Sequence, residues 1–439
     1  MKVMKFGGTS VGSPQRMKEV CKLITQERGN IVVLSAMSGT TNSLVEIADY
    51  FRKGNPEGAN IIINQLRNKY TGHIIDLYAS GPVRQKMADF LDSEFTYLHT
   101  FSSVEFDDIA EKTVLAQGEI ISTNMVTAYL REQGVKVLLI NALDFMRLSE
   151  NGEPDQPFIK KQLEAILEEN PNYDLYLTQG FIARNAKGDI DNLQRGGSDY
   201  TASLIGAVLR AEEIQIWTDI DGMHNNDPRV VEGTKPVRQL NFEEAAELAY
   251  FGAKILHPTC IQPARYNGVP VRLLNTMNPA APGTLINNEF VPGAIKAIAA
   301  KDNITSIKIV SSRMLLASGF LKRVFDIFGN YGTSIDMVTT SEVGVSLSID
   351  DTSHLASIVE ELKTCGTVLV DEDMCIVCVV GDLRWGNVGF ESQITAALHD
   401  VPVRMISFGG SDHNISFLIR GADKKAALQA LSAALFPEE

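Results

Sequence analysis

The sequence contains few cysteines and less positive than negative charge. Its five cysteines form an odd and widely spaced set in 439 residues, unlike the paired frameworks of secreted proteins. The 40 basic residues are outnumbered by 54 acidic ones, and the formal charge of −14 argues against a nucleic-acid partner or an anionic-membrane surface. No apolar run approaches the roughly 18 residues of a membrane span, and the amino terminus lacks an apolar signal core. These absences predict a globular protein of the reducing cytoplasm.

Cys375 and Cys378 are the one C-x-x-C pair, and they lie within the apolar run MCIVCVV. Side chains three positions apart on a strand face opposite sides, so the two thiols diverge. No second such pair and no paired histidines accompany them. The pattern favours a core strand over a metal or redox site, and no residue is assigned as a metal ligand.

The first 290 residues alternate β-rich runs with longer helical patterns. The runs are dense in valine, isoleucine and leucine, as in strands buried on both faces, so the alternation predicts an α/β layer domain with a mostly parallel sheet. Such sheets bind ligands in the loops beyond the carboxyl ends of their strands. The predicted strands are Lys2–Phe6, Ile31–Ala36, Val135–Asn141, Leu175–Phe181, Ile214–Thr218 and Val271–Asn275.

A proline- and glycine-rich stretch, Asn278–Gly293, ends this pattern, and the rest of the chain contains an internal repeat. Gly319 and Gly389 each begin a predicted helix after a strand, and they are 70 positions apart. Ser341 and Ser411 are separated by the same 70 positions. Each copy follows a β-α-β-β-α order, which predicts two ferredoxin-like α+β modules that can join their sheets side by side. The predicted boundaries are 1–290 for the first domain, 291–304 for a connector, and 305–372 and 373–439 for the two modules.

The opening segment KFGGTSVGSP places glycines directly after a predicted strand. It does not match the Rossmann pattern G-x-G-x-x-G. It is not a Walker A sequence either, because Ser13 follows Gly12 where lysine is needed, and Lys5 instead precedes the glycines. Gly7 and Gly8 allow backbone N–H groups to turn toward an anion, and Ser13 is expected to cap a helix that begins with Pro14. The motif indicates a phosphate site; a tight turn with a solvated lysine is the alternative.

Three further loops carry chemically useful side chains. SAMSGTTNS, Ser35 to Ser43, follows the second strand, and its Thr41, Asn42 or Ser43 can cap the next helix or bind a ligand. Glu119 precedes a helical run and suits either the dipole of that helix or a substrate ammonium. The segment QRGGSDYT places Arg195, Ser198 and Asp199 at the start of a helix. The Arg195 guanidinium suits a carboxylate or phosphate, and the Asp199 carboxylate suits a metal or a lysine.

Six motifs in order make the chain resemble the aspartokinase family of the amino-acid kinase superfamily. They are KFGGTS, SAMSGTTN, QGE, RGGSDYTA, WTDIDG with DPR, and FGAKILHP, and the repeat resembles the tandem ACT modules of that family. The resemblance covers essentially the whole chain and leaves no room for a fused homoserine dehydrogenase. It implies a three-layer, mostly parallel kinase domain followed by two ACT modules, and a monofunctional aspartate kinase.

The resemblance also implies roles for matching positions, with the α-carboxylate of aspartate on Arg195 and its ammonium on Glu119. At His224 relatives often have tyrosine, and an imidazole at this position can still stack on the adenosine or hydrogen-bond to it. The implied catalytic residues are Lys5, Asp199 and Lys254. The implied aspartate-binding residues are Thr41, Glu119, Arg195 and Ser198. The implied nucleotide-binding residues are Lys5, Gly7, Gly8, Ser10, Thr218, Asp219, His224, Arg229 and Lys254.

The implied reaction uses ATP and Mg²⁺ to phosphorylate the β-carboxylate of L-aspartate. The product, 4-phospho-L-aspartate, enters lysine, threonine and methionine synthesis. Because the carboxylate is already ionised at pH 7, no general base is needed. Alignment and charge neutralisation by Lys5, Lys254, backbone N–H groups and Mg²⁺ then carry catalysis. A kinase of the same fold that acts on glutamate and a catalytically silent amino-acid sensor are the alternatives.

The first ACT copy resembles that of the lysine-sensitive aspartokinases. Asp336 and Glu342 are anions that suit the ammonium groups of L-lysine, and the helix start at Gly319 suits a carboxylate. Threonine or another amino acid is the alternative effector. The modules imply a homodimer, with a tetramer as the alternative. The implied effector residues are Met314, Gly319, Phe320, Leu321, Asp336, Thr340, Ser341 and Glu342.

Overall fold

The structure, a computed structural model, describes residues 1–193, 196–252, 257–314 and 318–437. It divides into two compact units, Met1–Met223 with Ile255–Asn288, and His224–Lys254 with Glu289–Glu439. The second unit therefore includes a segment from inside the 1–290 stretch that the sequence assigns to one domain.

Strands and helices alternate through the first unit, as predicted. Each strand predicted there ends within two residues of the end of an observed strand, and the strands and helices of both units are given next. The strands are β1 (Val3–Phe6), β2 (Asn30–Leu34), β3 (Val137–Ile140), β4 (Leu175–Gln179), β5 (Ile182–Arg184), β6 (Ile190–Asn192), β7 (Ile214–Thr218), β8 (Gln239–Asn241), β9 (Val271–Asn275), β10 (Thr284–Asn287), β11 (Ile295–Val310), β12 (Met337–Thr340), β13 (Gly344–Ile349), β14 (Thr367–Gly381), β15 (Val403–Phe408) and β16 (Asn414–Arg420). The helices are α1 (Pro14–Ile24), α2 (Thr40–Arg52), α3 (Pro56–Leu77), α4 (Gly81–Thr100), α5 (Asp108–Glu132), α6 (Ala142–Phe145), α7 (Gln156–Glu169), α8 (Gly197–Val208), α9 (Phe242–Tyr250), α10 (Gln262–Asn267), α11 (Phe320–Asn330), α12 (Leu355–Leu362), α13 (Phe390–Ala397) and α14 (Lys424–Leu435).

The first unit is built on a central sheet whose strands lie in the order β3, β4, β2, β1, β7, β9 and β10. β1 lies between β2 and β7 and is parallel to both, while β10 is antiparallel to β9. The predicted mostly parallel sheet is therefore confirmed. The carboxyl ends of β1, β2 and β7 meet at one edge, where Ser35 N donates to Phe6 O and Gly7 N donates to Trp217 O.

Helices cover both faces of this sheet and give it the predicted three layers. Met4 and Phe6 on β1 belong to a core that includes buried side chains of α1 to α5. Val3 and Ile214 point to the other face and are also buried. On that face α8 packs closely on β7, because a Cβ on Gly206 would lie 2.3 Å from Cγ1 of Ile214.

The second unit contains an antiparallel sheet in the order β12, β13, β11, β14, β16 and β15. The repeat is visible in it, because β11, α11, β12, β13 and α12 correspond to β14, α13, β15, β16 and α14. β11 and β14 lie side by side at the centre and join the two copies into one sheet. Each copy also has its own core, one around Phe328 and one around Phe417. The two ferredoxin-like modules are confirmed.

The stretch 291–304, predicted as a connector, contains the first half of β11. This half pairs with the second half of β14, and Ala297, Ile298 and Ile304 are buried there. Residues that look like the end of a proline-rich linker thus form a strand of the second module, because they bury an apolar row against β14. The boundaries at 290 and 372 stay predictions.

β11 and β14 each bend at corresponding residues. Asn303 has a φ of 60° and Asp373 a φ of 55°, and these residues are 70 positions apart, like the repeat itself. The pairing between the strands shifts register between Lys301 and Ile304. The bends mark the junction between the two modules.

The cysteines agree with the sequence prediction. All five are buried and free, and Cys375 and Cys378 lie on β14, as the core-strand interpretation predicts. Within the described ranges, no cluster of histidine, cysteine and acidic residues suits a metal ion. In the same ranges, no helix is both long and apolar enough to cross a membrane.

Candidate active site

The predicted phosphate loop follows β1 and is held against the loop after β2. Ser38 N donates to Gly8 O at 3.1 Å. A Cβ on Gly8 would lie 2.8 Å from Ala36 O, so glycine is needed for this close approach. The Ser13 side chain accepts a backbone hydrogen bond and caps α1, which begins with Pro14, as predicted. The loop therefore lies at the carboxyl edge of the sheet, beside a helix N-terminus whose N–H groups suit a phosphate.

Lys5 and Asp199 form an ion pair at this edge. Lys5 Nζ lies 2.6 Å from Asp199 Oδ1, and the two side chains are only 12% and 13% exposed. Asp199 is in the first turn of α8, so the pair joins this helix to β1. The contact does not have hydrogen-bond geometry, and Asp199 Oδ1 has no hydrogen-bond partner. Asp199 thus positions the Lys5 ammonium by charge.

Glu119 lies inside α5, so the alternative that it complements a helix N-terminus is wrong. α5 begins at Asp108 and continues to Glu132. Glu119 Oε1 accepts a hydrogen bond from Ala36 N at 3.0 Å, which brings the carboxyl group to the loop after β2. Burial raises the pKa of Glu119 to about 7. A bound ammonium would favour the ionised form, so this carboxyl group suits a substrate cation.

The loop after β2 leads into α2 without a side-chain cap. Gly39, in the left-handed conformation, is the N-cap, and the helix begins at Thr40. The capping alternative for Thr41, Asn42 or Ser43 is therefore wrong. Thr41 is exposed in the first turn, where the helix does not need its hydroxyl.

Ser198 is buried in the first turn of α8, against the end of β4. A Cβ on Gly180 would lie 2.5 Å from the Ser198 side chain. The N-cap of α8 is Gly196, so a capping role does not explain Ser198 or Asp199. A cavity of about 460 Å³ opens beside this turn, lined in part by Phe181 and Gly197. Arg195, the predicted carboxylate ligand, lies outside the described residues.

Thr218 and Asp219 stand at the carboxyl end of β7, at the same edge as Lys5. Thr276 N donates to Thr218 O at 2.8 Å, and the Ser10 and Thr276 hydroxyls share a buried hydrogen bond of 2.7 Å. Thr276 was not predicted from the sequence. Its position directly after β9, where parallel strands present ligand-binding residues, is the signal that marks it.

His224 and Arg229 belong to the second unit. His224 Nδ1 shares a hydrogen bond of 2.9 Å with the Thr234 hydroxyl. Arg229 makes a two-point contact with Asp227, with Nε and Nη2 at 2.9 and 2.8 Å from the carboxylate oxygens. Their roles in nucleotide binding stay predictions. Lys254 lies outside the described residues, and its role also stays a prediction.

The predicted effector residues surround α11 and β12. Gly319 is the left-handed N-cap of α11, and Ser341 N donates to Gly344 O in the turn between β12 and β13. Asp336, predicted as an anion for an effector ammonium, already contacts a lysine of this chain. Its side chain is 1% exposed, and Lys301 Nζ lies 2.8 Å from its Oδ1. The other predicted positions are Met314 at the end of a short 3₁₀ turn, Phe320 and Leu321 in the first turn of α11, Thr340 at the end of β12, and Glu342 in the turn after it.

Known proteins similar to this chain identify the family. Residues 1–275 match the amino acid kinase family, and residues 377–435 match an ACT domain. The chain is 33% identical to lysine-sensitive aspartokinase 3 of Escherichia coli, with 99% of each protein covered. This chain belongs to the aspartokinase family. It is also 35% identical to the chloroplastic aspartokinase 1 of Arabidopsis thaliana, covering 99% of this chain and 80% of that protein.

Two solved aspartokinase structures share the fold over the whole chain. One is E. coli aspartokinase III in complex with aspartate and ADP in the R-state, with a TM-score of 0.85, 32% identity and coverage of 99% of this chain and all of that one. The other is the same enzyme with lysine and aspartate in the T-state, with a TM-score of 0.83, 33% identity and 99% coverage of both chains. The predicted family, fold class and enzyme class, an aspartate kinase, are confirmed.

Proposed function

We propose that this aspartokinase transfers the γ-phosphoryl group of ATP to the β-carboxylate of L-aspartate, forming 4-phospho-L-aspartate for lysine, threonine and methionine synthesis. The observation that carries the proposal is the Lys5–Asp199 pair, 2.6 Å apart, at the sheet edge that the Gly8 loop also occupies. Glu119 reaches the same edge through Ala36. The E. coli enzyme solved with aspartate and ADP matches 99% of this chain, which supports the same pair of substrates here.

Different residues bind the ammonium and the α-carboxylate of aspartate. Glu119 takes the ammonium, and this contact restores the ionised form that burial disfavours. Arg195 takes the α-carboxylate, while Thr41 and Ser198 offer hydroxyls from the first turns of α2 and α8. The β-carboxylate then remains to face the phosphoryl group.

Catalysis follows from charge neutralisation. The attacking carboxylate is already ionised, so the site needs no base, and the difficulty is to bring an anion to a polyanionic phosphate. The Lys5 ammonium and the N–H groups of Gly7 and Gly8 offset that repulsion in a largely water-excluded place. Asp199 holds Lys5 in position before the nucleotide binds, which lowers the cost of alignment. Lys254, Thr218 and Asp219 are assigned to the nucleotide.

The described residues fit a magnesium–nucleotide complex at Asp199. Asp199 supplies a carboxylate in the first turn of α8, beside Lys5 at the edge that the phosphate loop also occupies, and carboxylate oxygen is the ligand type that Mg²⁺ prefers. When bound to the nucleotide phosphates, Mg²⁺ supplies positive charge where the transferring group develops negative charge. Asp199 then serves both Lys5 and the metal-bound phosphates.

The experiment is a coupled assay with Mg-ATP and either L-aspartate or L-glutamate, with the acyl phosphate trapped as a hydroxamate. We expect a hydroxamate from aspartate, and no product when Mg²⁺ is replaced by EDTA. Turnover of glutamate but not aspartate would contradict the proposal. So would ATP consumption without any trapped acyl phosphate.

We also propose feedback inhibition by L-lysine at the first ACT module, because the lysine-bound T-state of the E. coli enzyme matches 99% of this chain. We propose a homodimer through the ACT modules with it, as the resemblance to the family implies. The five buried, free cysteines support a reducing cytoplasm as the compartment. Inhibition curves with lysine and threonine, and light scattering for the subunit number, test these statements.

A further inference from the structure

A lysine of this chain already forms an ion pair with Asp336, the carboxylate that we propose for the effector. Lys301 Nζ lies 2.8 Å from Asp336 Oδ1 and 2.9 Å from Asp350 Oδ2. The same ammonium lies 4.4 Å from the centre of the Tyr250 ring, over its face. A single chain lysine is therefore surrounded by two carboxylates and an aromatic ring, a set that would recognise any alkylammonium.

The second oxygen of Asp336 is left without a partner. Asp336 Oδ1 accepts from both Lys301 and the Tyr250 hydroxyl, whereas Oδ2 is buried and makes no hydrogen bond. A buried carboxylate oxygen without a donor is costly, so the site is incomplete as it stands. The missing donor is one that an incoming ammonium group can supply.

Tyr250 connects this carboxylate to a helix outside the module. It is the last residue of α9, and its hydroxyl donates to Asp336 Oδ1 at 2.6 Å. Gly252, two residues later, has a φ of 119°, and a Cβ there would lie 2.1 Å from Ala300 O. The end of α9 is thus held tightly against β11 beside Lys301. The chain then enters residues 253–256, which include the proposed nucleotide ligand Lys254.

The second module contains the same ion-pair position with the charges exchanged. Asp371 follows Lys301 by the repeat distance of 70 positions, and Arg404 precedes Met405 as Asp336 precedes Met337. Arg404 Nε lies 3.0 Å from Asp371 Oδ2. The fold therefore tolerates either polarity at this junction, but the carboxylate is buried in the first module, where Asp336 is 1% exposed, and open to solvent in the second, where Asp371 is 48% exposed.

We infer that Lys301 is an intrachain competitor of the amino-acid effector for the Asp336 carboxylate, and that Tyr250 carries the outcome of this competition to α9. The inference rests on the proposed regulation by lysine. An effector ammonium enters at Oδ2 and shares one negative charge with Lys301. Lys301 then shifts toward Asp350, which is 42% exposed, and the hydrogen bond between Tyr250 and Asp336 weakens. The end of α9 is released where it leads into Lys254.

Equilibrium binding of L-lysine tests the competition. Lys301→Met removes the internal ammonium and keeps most of the side-chain volume, so the Kd for lysine should fall at least fivefold. Lys308→Met is the matched control, because Lys308 lies on the same strand and no ion pair is formed by it in the described structure. Its Kd should stay within twofold of wild type. Unchanged or weaker lysine binding by Lys301→Met would overturn the inference.

A second measurement needs neither activity nor lysine. Lys301→Ala leaves the buried Asp336 carboxylate without its cation, so the full-length variant should melt at a lower temperature than wild type. n-Butylammonium chloride should recover at least half of the loss, whereas potassium chloride at the same ionic strength should not. Equal responses to both salts would refute a carboxylate that selects alkylammonium groups. If wild type fails to phosphorylate aspartate, the proposed reaction fails, and this readout still decides whether the Asp336 carboxylate selects alkylammonium groups. If wild type fails to bind lysine, the proposed regulation fails and the inference fails with it.

Tyr250→Phe tests the transmission step. The variant keeps the ring beneath Lys301 and loses the hydroxyl that Asp336 accepts. Its Kd for lysine should remain within threefold of wild type, while saturating lysine should leave at least twice the residual activity seen in wild type. Full inhibition of the variant at saturating lysine would show that Tyr250 has no part in transmission.

Discussion

Two buried lysine–aspartate pairs, one in each unit, each leave one carboxylate oxygen without a hydrogen bond, but they differ in the exposure of the aspartate and in the number of groups that contact it. Lys5 and Asp199 are 2.6 Å apart and both slightly accessible, and Asp199 Oδ1 makes no hydrogen bond. In the other pair, Asp336 receives both Lys301 and the Tyr250 hydroxyl, and only 1% of its side chain is exposed. The first pair is open to new partners and suits chemistry. The second is closed by its own chain and suits a site that a ligand must enter against resistance.

The largest effect is expected at the open pair. Lys5→Ala removes a preorganised positive charge that matters mainly in the transition state, so kcat should fall by roughly 10²-fold or more. Steady-state kinetics with aspartate and Mg-ATP measure it. Lys2→Ala is the control, because it breaks only an exposed ion pair with Glu27. Its kcat should stay within about threefold of wild type. If the kcat of Lys5→Ala stayed within threefold of wild type, Lys5 would have only a structural role in the turn.

The next largest effect is expected at two proposed effector residues, Asp336 of the closed pair and Glu342 in the turn after β12. Glu342→Ala and Asp336→Ala each remove an anionic contact to lysine, so the inhibitory concentration should rise about tenfold or more. Dose–response curves on both variants measure it, with Glu360→Ala as the control because Glu360 is an exposed acid on α12 paired with Lys363. Variants that lose basal activity and keep full lysine sensitivity would contradict the assignment.

The sequence predicts the residues of the first pair but not the contact between the residues of the second. Lys5 was identifiable because it precedes two glycines at the end of a strand, and Asp199 because it opens a helix in a polar, glycine-rich loop. Lys301 stands in a stretch that resembles a linker, and its partner Asp336 is 35 positions away in the neighbouring module. No local pattern reports a contact that depends on how two modules share a sheet.

Secondary structure is likewise predictable where the signal is local. β7 and β9 match their predicted bounds, because dense runs of β-branched and aliphatic residues are a local signal. Glu119 was placed before a helix although it lies inside α5, since the polar residues before it look like a helix start. The bounds of β11 were missed because prolines just before it suggest an irregular segment.

A smaller effect is expected from the titration of Glu119. Its pKa of about 7 in the folded chain means that the carboxyl group gains a proton as the pH falls through neutrality. The protonated form cannot bind an ammonium as an anion, so kcat/KM for aspartate should drop about fivefold between pH 7 and pH 6. Glu119→Gln should have a lower kcat/KM that lacks this step. The same pH step in wild type and variant would assign the titration to another group.

The smallest effect is expected where a similar pair is exposed to water. Lys53 and Asp49 lie 2.6 Å apart on α2, and both side chains are largely exposed. Solvent screens such a pair, so Lys53→Ala should change the melting temperature by less than about 1 °C. Calorimetry on Lys53→Ala and Lys301→Ala together sharpens the contrast. A larger loss for Lys53→Ala than for Lys301→Ala would mean that burial does not set the strength of these pairs.

The shared central strands also impose an order on folding during synthesis. The first half of β11 pairs with residues of β14 that are made much later, since Lys301 lies opposite Ile376, 75 positions further along the chain. At ~5–20 residues per second, this segment waits roughly 4–15 s for its partner on the ribosome. In that time the whole first module is synthesised, and its core can close. The second module is therefore finished last, around a strand that emerged before the first module began.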